Sequence, residues 1–183
     1  MEEIAECAEG VEFEVKDRKV VVKGPKGTLE RDFDDPRFNG LIDMRIDNGN
    51  LVISSNDTGR KTRAMAGTIR AHAENMMRGV THGYKYTLRV VYTHFPLTVS
   101  VEEHEVHIKN FLGEKGARIA KIKGDVEVHA DKEFVTVSGL DVNEVSQTAA
   151  NIEAACKLRS RDRRIFQDGI YIESRQLQTG EDA

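Results

Sequence analysis

A chain of 183 residues, 32% charged and 39% hydrophobic, is one large domain or two small ones, with enough apolar material for a real core. No apolar run approaches the roughly 20 residues that span a bilayer, which speaks against a helical membrane protein. Tryptophan is absent and aromatics make up 6%, so the core rests on Val, Ile, Leu and Ala, while the net charge of −4 argues at first against a nucleic-acid partner.

Residues 1–10 (MEEIAECAEG) are acidic and lack the basic-then-apolar order of a secretory signal. Residues 11–15 alternate apolar and polar, as a half-buried strand does; 16–19 are a polar turn, and 20–22 return as the second strand of a hairpin. The tight loop 24–27 follows, then a strand over 28–33 that Asp34-Asp35-Pro36 stops. Asn48-Gly49 between the apolar runs 41–46 and 51–54 is a strong hairpin signal, because both residue types tolerate positive φ. A helix is next. Thr58 is its expected N-cap, Thr62, Ala66, Ile69, Ala73 and Met76 recur on one face, and Gly79 is expected to end it. Residues 83–92 read as a long strand, and Pro96 as the boundary of a first domain, 1–96.

From residue 97 the plan starts again. Residues 97–101 and 106–108 form the expected hairpin around a turn at 102–105, and a basic, glycine-bearing loop follows at 109–116. Short strands are expected at 117–122, 125–129 and 134–137. Asp141, with Glu144 three residues on, is a capping-box pattern, and Val145, Ala149, Ile152 and Cys156 make the buried stripe of a second helix. Asp168-Gly169 leads into a last strand, and the polar tail 178–183 is expected to fray. Cys7 and Cys156 lie far apart in different contexts and read as free thiols of a reduced cytosolic protein.

The two halves correspond in order. At an offset of 86, Val15, Val20, Lys23 and Gly27 meet Val101, Val106, Lys109 and Gly113. At an offset of 83, Val52, Ser55, Ala66, Ile69, Ala71 and Arg78 meet Val135, Ser138, Ala149, Ile152, Ala154 and Arg161. Identity is sparse, but an ordered series carrying the same strands, loop and helix points to duplication. The fold class expected is α+β: two domains, 1–96 and 97–183, each an antiparallel sheet with one helix packed on a face.

Charge is distributed unevenly. Residues 1–60 hold nine Lys and Arg against fourteen Asp and Glu, 61–95 hold six against one, and 96–156 hold six against eleven. Five cations fall within eight residues at Lys157, Arg159, Arg161, Arg163 and Arg164, beside a single Asp162. Cations after a helix favour the negative end of its dipole, but that use needs only one or two. Arginine also offers a planar fork for phosphate, so an anionic polymer is favoured over a solvated helix end.

The loop 109–123 adds Lys115, Arg118, Lys121 and Lys123 around Gly113 and Gly116. Gly-Glu-Lys-Gly here and Gly-Pro-Lys-Gly at 24–27 both fit the GXXG string that clamps nucleotide backbone in KH domains. KH domains place that loop between helices, whereas strand-like segments flank it here, and an ordinary surface turn fits equally well. No histidine pairs with a cysteine at metal spacing, and no nucleophile elbow, Walker loop or dinucleotide fingerprint is present. The acidic pairs Asp34-Asp35 and Glu102-Glu103 fall in turns and read as solvated. No cofactor, metal or catalytic site is therefore expected.

Four strings then resemble the sixth large-subunit ribosomal protein family in its archaeal and eukaryotic branch. They are Asn110-Phe111-Leu112-Gly113-Glu114-Lys115, ENMMRGVTHGY over 74–84, Tyr92-Thr93-His94-Phe95-Pro96, and RDRRIFQDGIY over 161–171. The bacterial branch is similar in plan but has a lysine- and glycine-rich ending where this chain has Arg-Ile-Phe-Gln-Asp-Gly. The resemblance implies a cytoplasmic, ribosome-bound structural protein without enzymatic activity or membrane contact. Its C-terminal domain would be the main rRNA-binding part, docked near the base of the factor-binding stalk and the sarcin–ricin loop. Neighbouring ribosomal proteins there, and translation factors nearby, would be further partners. Carried over by position, the rRNA contacts are Lys109, Asn110, Lys115, Arg118, Lys121, Lys123, Lys157, Arg159, Arg161, Arg163, Arg164, Gln167, Tyr171 and Arg175. The first domain, with its loop 24–27, would face outward or toward neighbouring proteins. The acidic net charge departs from the basic character usual in ribosomal proteins. The alternative is a free-standing, two-domain RNA-binding or chaperone-like module, with an enzyme a distant third.

Overall fold

The two halves fold as separate units that divide between Gly83 and Tyr84. The computed structural model describes residues 2–8, 10–38, 40–55, 57, 59–158, 162 and 164–178. In the first unit the strands are β1 (Glu2–Ala5), β2 (Glu12–Lys16), β3 (Lys19–Gly24), β4 (Gly27–Asp32), β5 (Ile42–Asp47) and β6 (Asn50–Ser55), followed by helix α1 (Arg60–His82). They form two antiparallel sheets, ordered β2-β3-β4 and β1-β6-β5. Asn48 (φ 50°) and Gly49 (φ 85°) make the two-residue turn that their identity announces, closing on the pair Asp47–Asn50.

Helix α1 packs across strands of both sheets, so the unit closes around one core. Its inner stripe of Thr62, Ala66, Ile69, Ala73 and Met76 is buried as the spacing requires, against Val20, Val22, Leu51 and Ile53. Fully burying such aliphatic side chains contributes about 1.5–3 kcal/mol each. Both ends of the helix differ from expectation. The N-cap position is Gly59, which makes no side-chain cap, and Thr58 lies outside the described residues. The Asp57 carboxylate serves there instead, accepting from Gly59 N at 3.0 Å and Thr62 Oγ1 at 2.7 Å. The helix also runs past Gly79 to a C-cap at Gly83, whose positive φ of 75° turns the chain out. Gly79 does not stop it because Val80, fully buried, is held from outside. Lys26 N donates to Val80 O at 2.9 Å, and a Cβ on Gly24 would come within 2.5 Å of Val80 Cγ2. The loop 24–27 is thus anchored by its backbone to the end of α1, with Pro25 and Lys26 still exposed.

The second unit contains β7 (Tyr84–Val91), β8 (Thr98–Glu102), β9 (Glu105–Lys109), a 3-10 turn at Phe111–Gly113, β10 (Arg118–Lys121), β11 (Glu127–Ala130) and β12 (Phe134–Gly139). Helix α2 (Val142–Ala155) and β13 (Gly169–Leu177) complete it. Again there are two antiparallel sheets, β10-β9-β8 and β11-β12-β7-β13, with the helix packed on strands of both. The duplication is visible in the pairing: β6 pairs with β1, and β12 pairs with β7. Strand β7, which the sequence places at the end of a 1–96 domain, therefore opens the second unit and lies inside its sheet. Chain order favours the earlier domain, but a strand belongs where its backbone hydrogen bonds are satisfied, and both edges of β7 are paired within the second unit.

Asp141 caps α2, accepting from Asn143 N at 2.8 Å. Glu144 does not close the capping box. Its carboxylate accepts from Asp125 N at 3.2 Å, in space that a side chain on Gly124 (φ 69°) would fill.

Candidate nucleic-acid interface

Arg118 is the most constrained of the candidate residues. It opens β10 opposite Ile108, on the face that carries the buried Val106 and Ala120, and its guanidinium lies 4.1 Å from the Phe111 ring centre. Nε and Nη2 grip both Glu114 oxygens at 2.9 and 2.7 Å, while Nη1 donates to Ala155 O at 2.9 Å and Lys157 O at 3.1 Å. The Glu114 carboxylate raises the Arg118 pKa further above its ordinary value. A cation from a distant strand thus satisfies the carbonyls at the end of α2, a role that the cationic run after the helix is also suited to. Arg118 is held for structure, with its fork already occupied.

The lysines behave differently. Lys109 and Lys121 point from the opposite face of the same sheet, and Lys115 and Lys123 project from the flanking turns; all four are exposed. Their backbone is fixed: Lys123 N donates to Thr148 Oγ1 at 3.0 Å, and Asn151 Nδ2 donates to Lys121 O at 2.9 Å. The outer face is not uniformly basic, since Glu102 and Glu105 lie 3.7 and 3.6 Å from His107 Nε2. Asn110 (φ 61°), Leu112 (φ 51°) and Gly113 (φ 77°) bend the chain tightly, so the second GXXG string leaves a 3-10 turn for a strand. The first closes the β3–β4 hairpin at the pair Gly24–Gly27. Neither lies between two helices. Asn110 Nδ2 is spent on Pro96 O at 3.1 Å.

Beyond α2, Lys157 and Arg164 are exposed. Arg159, Arg161 and Arg163 lie outside the described residues. Asp162 organises the approach to β13, accepting from Arg164 N through Oδ1 at 2.9 Å and from Phe166 N through its carbonyl at 3.0 Å. Gln167 is exposed; Tyr171 is half-buried and donates its hydroxyl to Gln167 O at 3.1 Å. The Tyr171 ring folds back over Gly169, where a Cβ would sit 3.0 Å from it. Arg175, exposed on β13, lies 5.9 Å from the ring centre of its cross-strand partner Tyr86. Among the described residues, Lys109, Lys115, Lys121, Lys123, Lys157 and Arg164 have no carboxylate at ion-pair distance. Solvated cations on a fixed scaffold suit phosphate contacts rather than internal pairing.

Asp168, which the sequence marks only as the entry into the last strand, is 4% exposed and bound to Thr93. A cavity of about 180 Å³ beside the end of α2, lined by Glu153, Cys156, Lys157, Gly169 and Tyr171, is smaller than the roughly 300 Å³ at which small-molecule sites begin. Among the described residues no group of His, Cys, Asp and Glu is arranged to hold a metal ion, and no helix is long and apolar enough to cross a membrane.

The family model described as ribosomal protein L6 matches the chain twice, over residues 8–83 and 95–169. The large ribosomal subunit protein uL6 of Staphylothermus marinus is 48% identical over 167 residues, covering 90% of this chain and 89% of that protein. Its counterpart in Desulfurococcus amylolyticus is 46% identical, with 93% and 92% covered. That of Haloquadratum walsbyi is 43% identical, with 96% of each covered.

Proposed function

The chain belongs to the ribosomal protein L6 family, and from that membership we propose that its second unit holds folded large-subunit rRNA through the exposed cations around α2. As a family member it is a non-enzymatic, ribosome-bound component of the large subunit, at work in the cytoplasm in translation. The observation that carries the reading is the set of exposed cations, Lys109, Lys115, Lys121, Lys123, Lys157 and Arg164, which among the described residues make no internal ion pair, on a backbone held rigid by Arg118, Thr148 and Asn151. Rigid spacing lets several ammonium and guanidinium groups meet phosphates with little ordering cost, and the resulting association is electrostatic and shape-based. The family resemblance supports a docking position near the base of the factor-binding stalk and the sarcin–ricin loop, with neighbouring subunit proteins and passing translation factors as further partners.

Sedimentation of a native lysate through sucrose gradients tests this. The chain is expected with large subunits at high magnesium; recovery only in light fractions at every magnesium concentration would overturn the reading and favour a free-standing RNA-binding module.

A further inference from the structure

The loop between β7 and β8, Tyr92-Thr93-His94-Phe95-Pro96, is exposed throughout. It carries both exposed aromatic side chains of the chain, Tyr92 at 46% and Phe95 at 47%, while every other Phe and Tyr is buried or half-buried. In a chain with 6% aromatics, placing two rings in solvent within four residues is a local break with the rule that fills its cores.

The loop is held at both ends. Thr93 donates through Oγ1 to Asp168 Oδ1 at 2.9 Å and through N to Oδ2 at 3.3 Å, and Asp168 is buried. Asn110 Nδ2 donates to Pro96 O at 3.1 Å, and the Phe95 ring lies over Gly113, where a Cβ would meet it at 3.4 Å. Leu97, 7% exposed, sinks the chain back into the core. Exposed cations that make no ion pair among the described residues adjoin these anchors in the sequence or across the sheet. Lys109 adjoins Asn110 and pairs across the sheet with Thr98, Lys115 follows Gly113 by two residues, and Arg164 precedes Asp168 by four. The nearby Glu114 is neutralised by Arg118.

We infer that Tyr92 and Phe95 are stacking platforms for unpaired RNA bases whose flanking phosphates the surrounding cations hold. The inference rests on the reading of the second unit as the RNA-binding part. Charge complementarity selects the occupant: a π-face framed by unpaired cations suits a nucleotide, which presents a flat base beside a phosphate. An apolar protein surface would leave those cations unanswered.

The test is equilibrium binding of the full chain to deproteinised large-subunit rRNA over a range of salt concentrations. Tyr92→Ala and Phe95→Ala are each expected to weaken binding about 5- to 150-fold with an unchanged salt slope, because each removes a stack and leaves the phosphate contacts in place. Tyr92→Phe and Phe95→Tyr keep near-parental affinity, whereas Tyr92→Leu and Phe95→Leu, which retain apolar bulk without a π-face, behave like alanine. Ultraviolet cross-linking of the unaltered chain to the same rRNA is expected to attach bases within residues 92–95, a readout independent of any variant's folding. Cross-links confined to other segments overturn the inference, as does full rescue by leucine. Alanine variants that bind rRNA normally yet dissociate from assembled subunits would show that a protein covers the rings, and overturn it too. Failure of the unaltered chain to bind rRNA removes the RNA reading and this inference together; normal binding that is indifferent to the rings removes this inference alone.

Discussion

Arg118 and Phe111 form a stacked pair, guanidinium carbon to ring centre 4.1 Å, at the point where the basic loop meets the end of α2. The same guanidinium closes four hydrogen bonds, two to Glu114 and two to carbonyls at the end of the helix, Ala155 O in its last turn and Lys157 O just beyond. Arg118→Lys keeps the charge but loses the planar fork, so unfolding free energy is expected to fall by about 1–3 kcal/mol in urea titrations. The salt slope of rRNA binding should stay unchanged. A reduced slope with unaltered stability would mean that Arg118 meets phosphate instead.

Thr93 and Asp168 lie 75 positions apart in sequence and join the aromatic loop to the start of β13. Because Asp168 is 4% exposed, removing its partner strands a buried acceptor. Thr93→Val and Asp168→Asn should each cost about 1–3 kcal/mol. The double variant should cost less than the sum by about 0.5–3 kcal/mol. Strict additivity in thermal or urea melts would show that the two groups do not act together.

The Cys156 thiol, 5% exposed under the end of α2, is pushed up to about 11, first by desolvation and against smaller opposing effects of Ile170 and Arg118. A thiol whose folded pKa lies above its unfolded value stays protonated longer in the native state, so stability is full below about pH 9 and declines as pH rises toward 11. The loss from this group should be about 2–3 kcal/mol at the alkaline end. Cys156→Ala should lessen that decline. Native chain at pH 8 should react slowly at Cys156 with thiol reagents, and rapidly once unfolded. Fast labelling of the native chain would contradict the burial.

Replacing Arg161, Arg163 and Arg164 together by Ala should weaken rRNA binding and flatten its salt dependence, by about 0.7–0.9 in log–log slope for each phosphate no longer neutralised. Lys109→Gln and Lys115→Gln should each act in the same direction with unfolding curves unchanged, since both side chains are exposed and make no ion pair among the described residues. An unaltered slope in the triple variant would place the phosphate-binding groups elsewhere.

Local pattern carries far in this protein. Alternating residues mark most strands, Asn48-Gly49 marks its turn, and the small-residue stripes of both helices are buried where their spacing puts them. The duplication is legible too, because equivalent strands and helices keep equivalent apolar positions. The strings at 74–84, 92–96, 110–115 and 161–171 lead to the family without any coordinate. What the sequence leaves open is ownership. Strand β7 passes to the second unit because its two hydrogen-bonding edges are satisfied there, a fact no window of residues contains. Charge alone cannot separate Arg118, spent on Glu114, Phe111 and the end of α2, from Lys115, left to solvent three residues earlier. Composition likewise cannot tell that Tyr92 and Phe95 stay outside while Phe111 is fully buried. Sequence determines which residues can bury apolar surface or carry charge; only the folded chain decides which groups are already paired, because pairing depends on distances between residues remote in sequence.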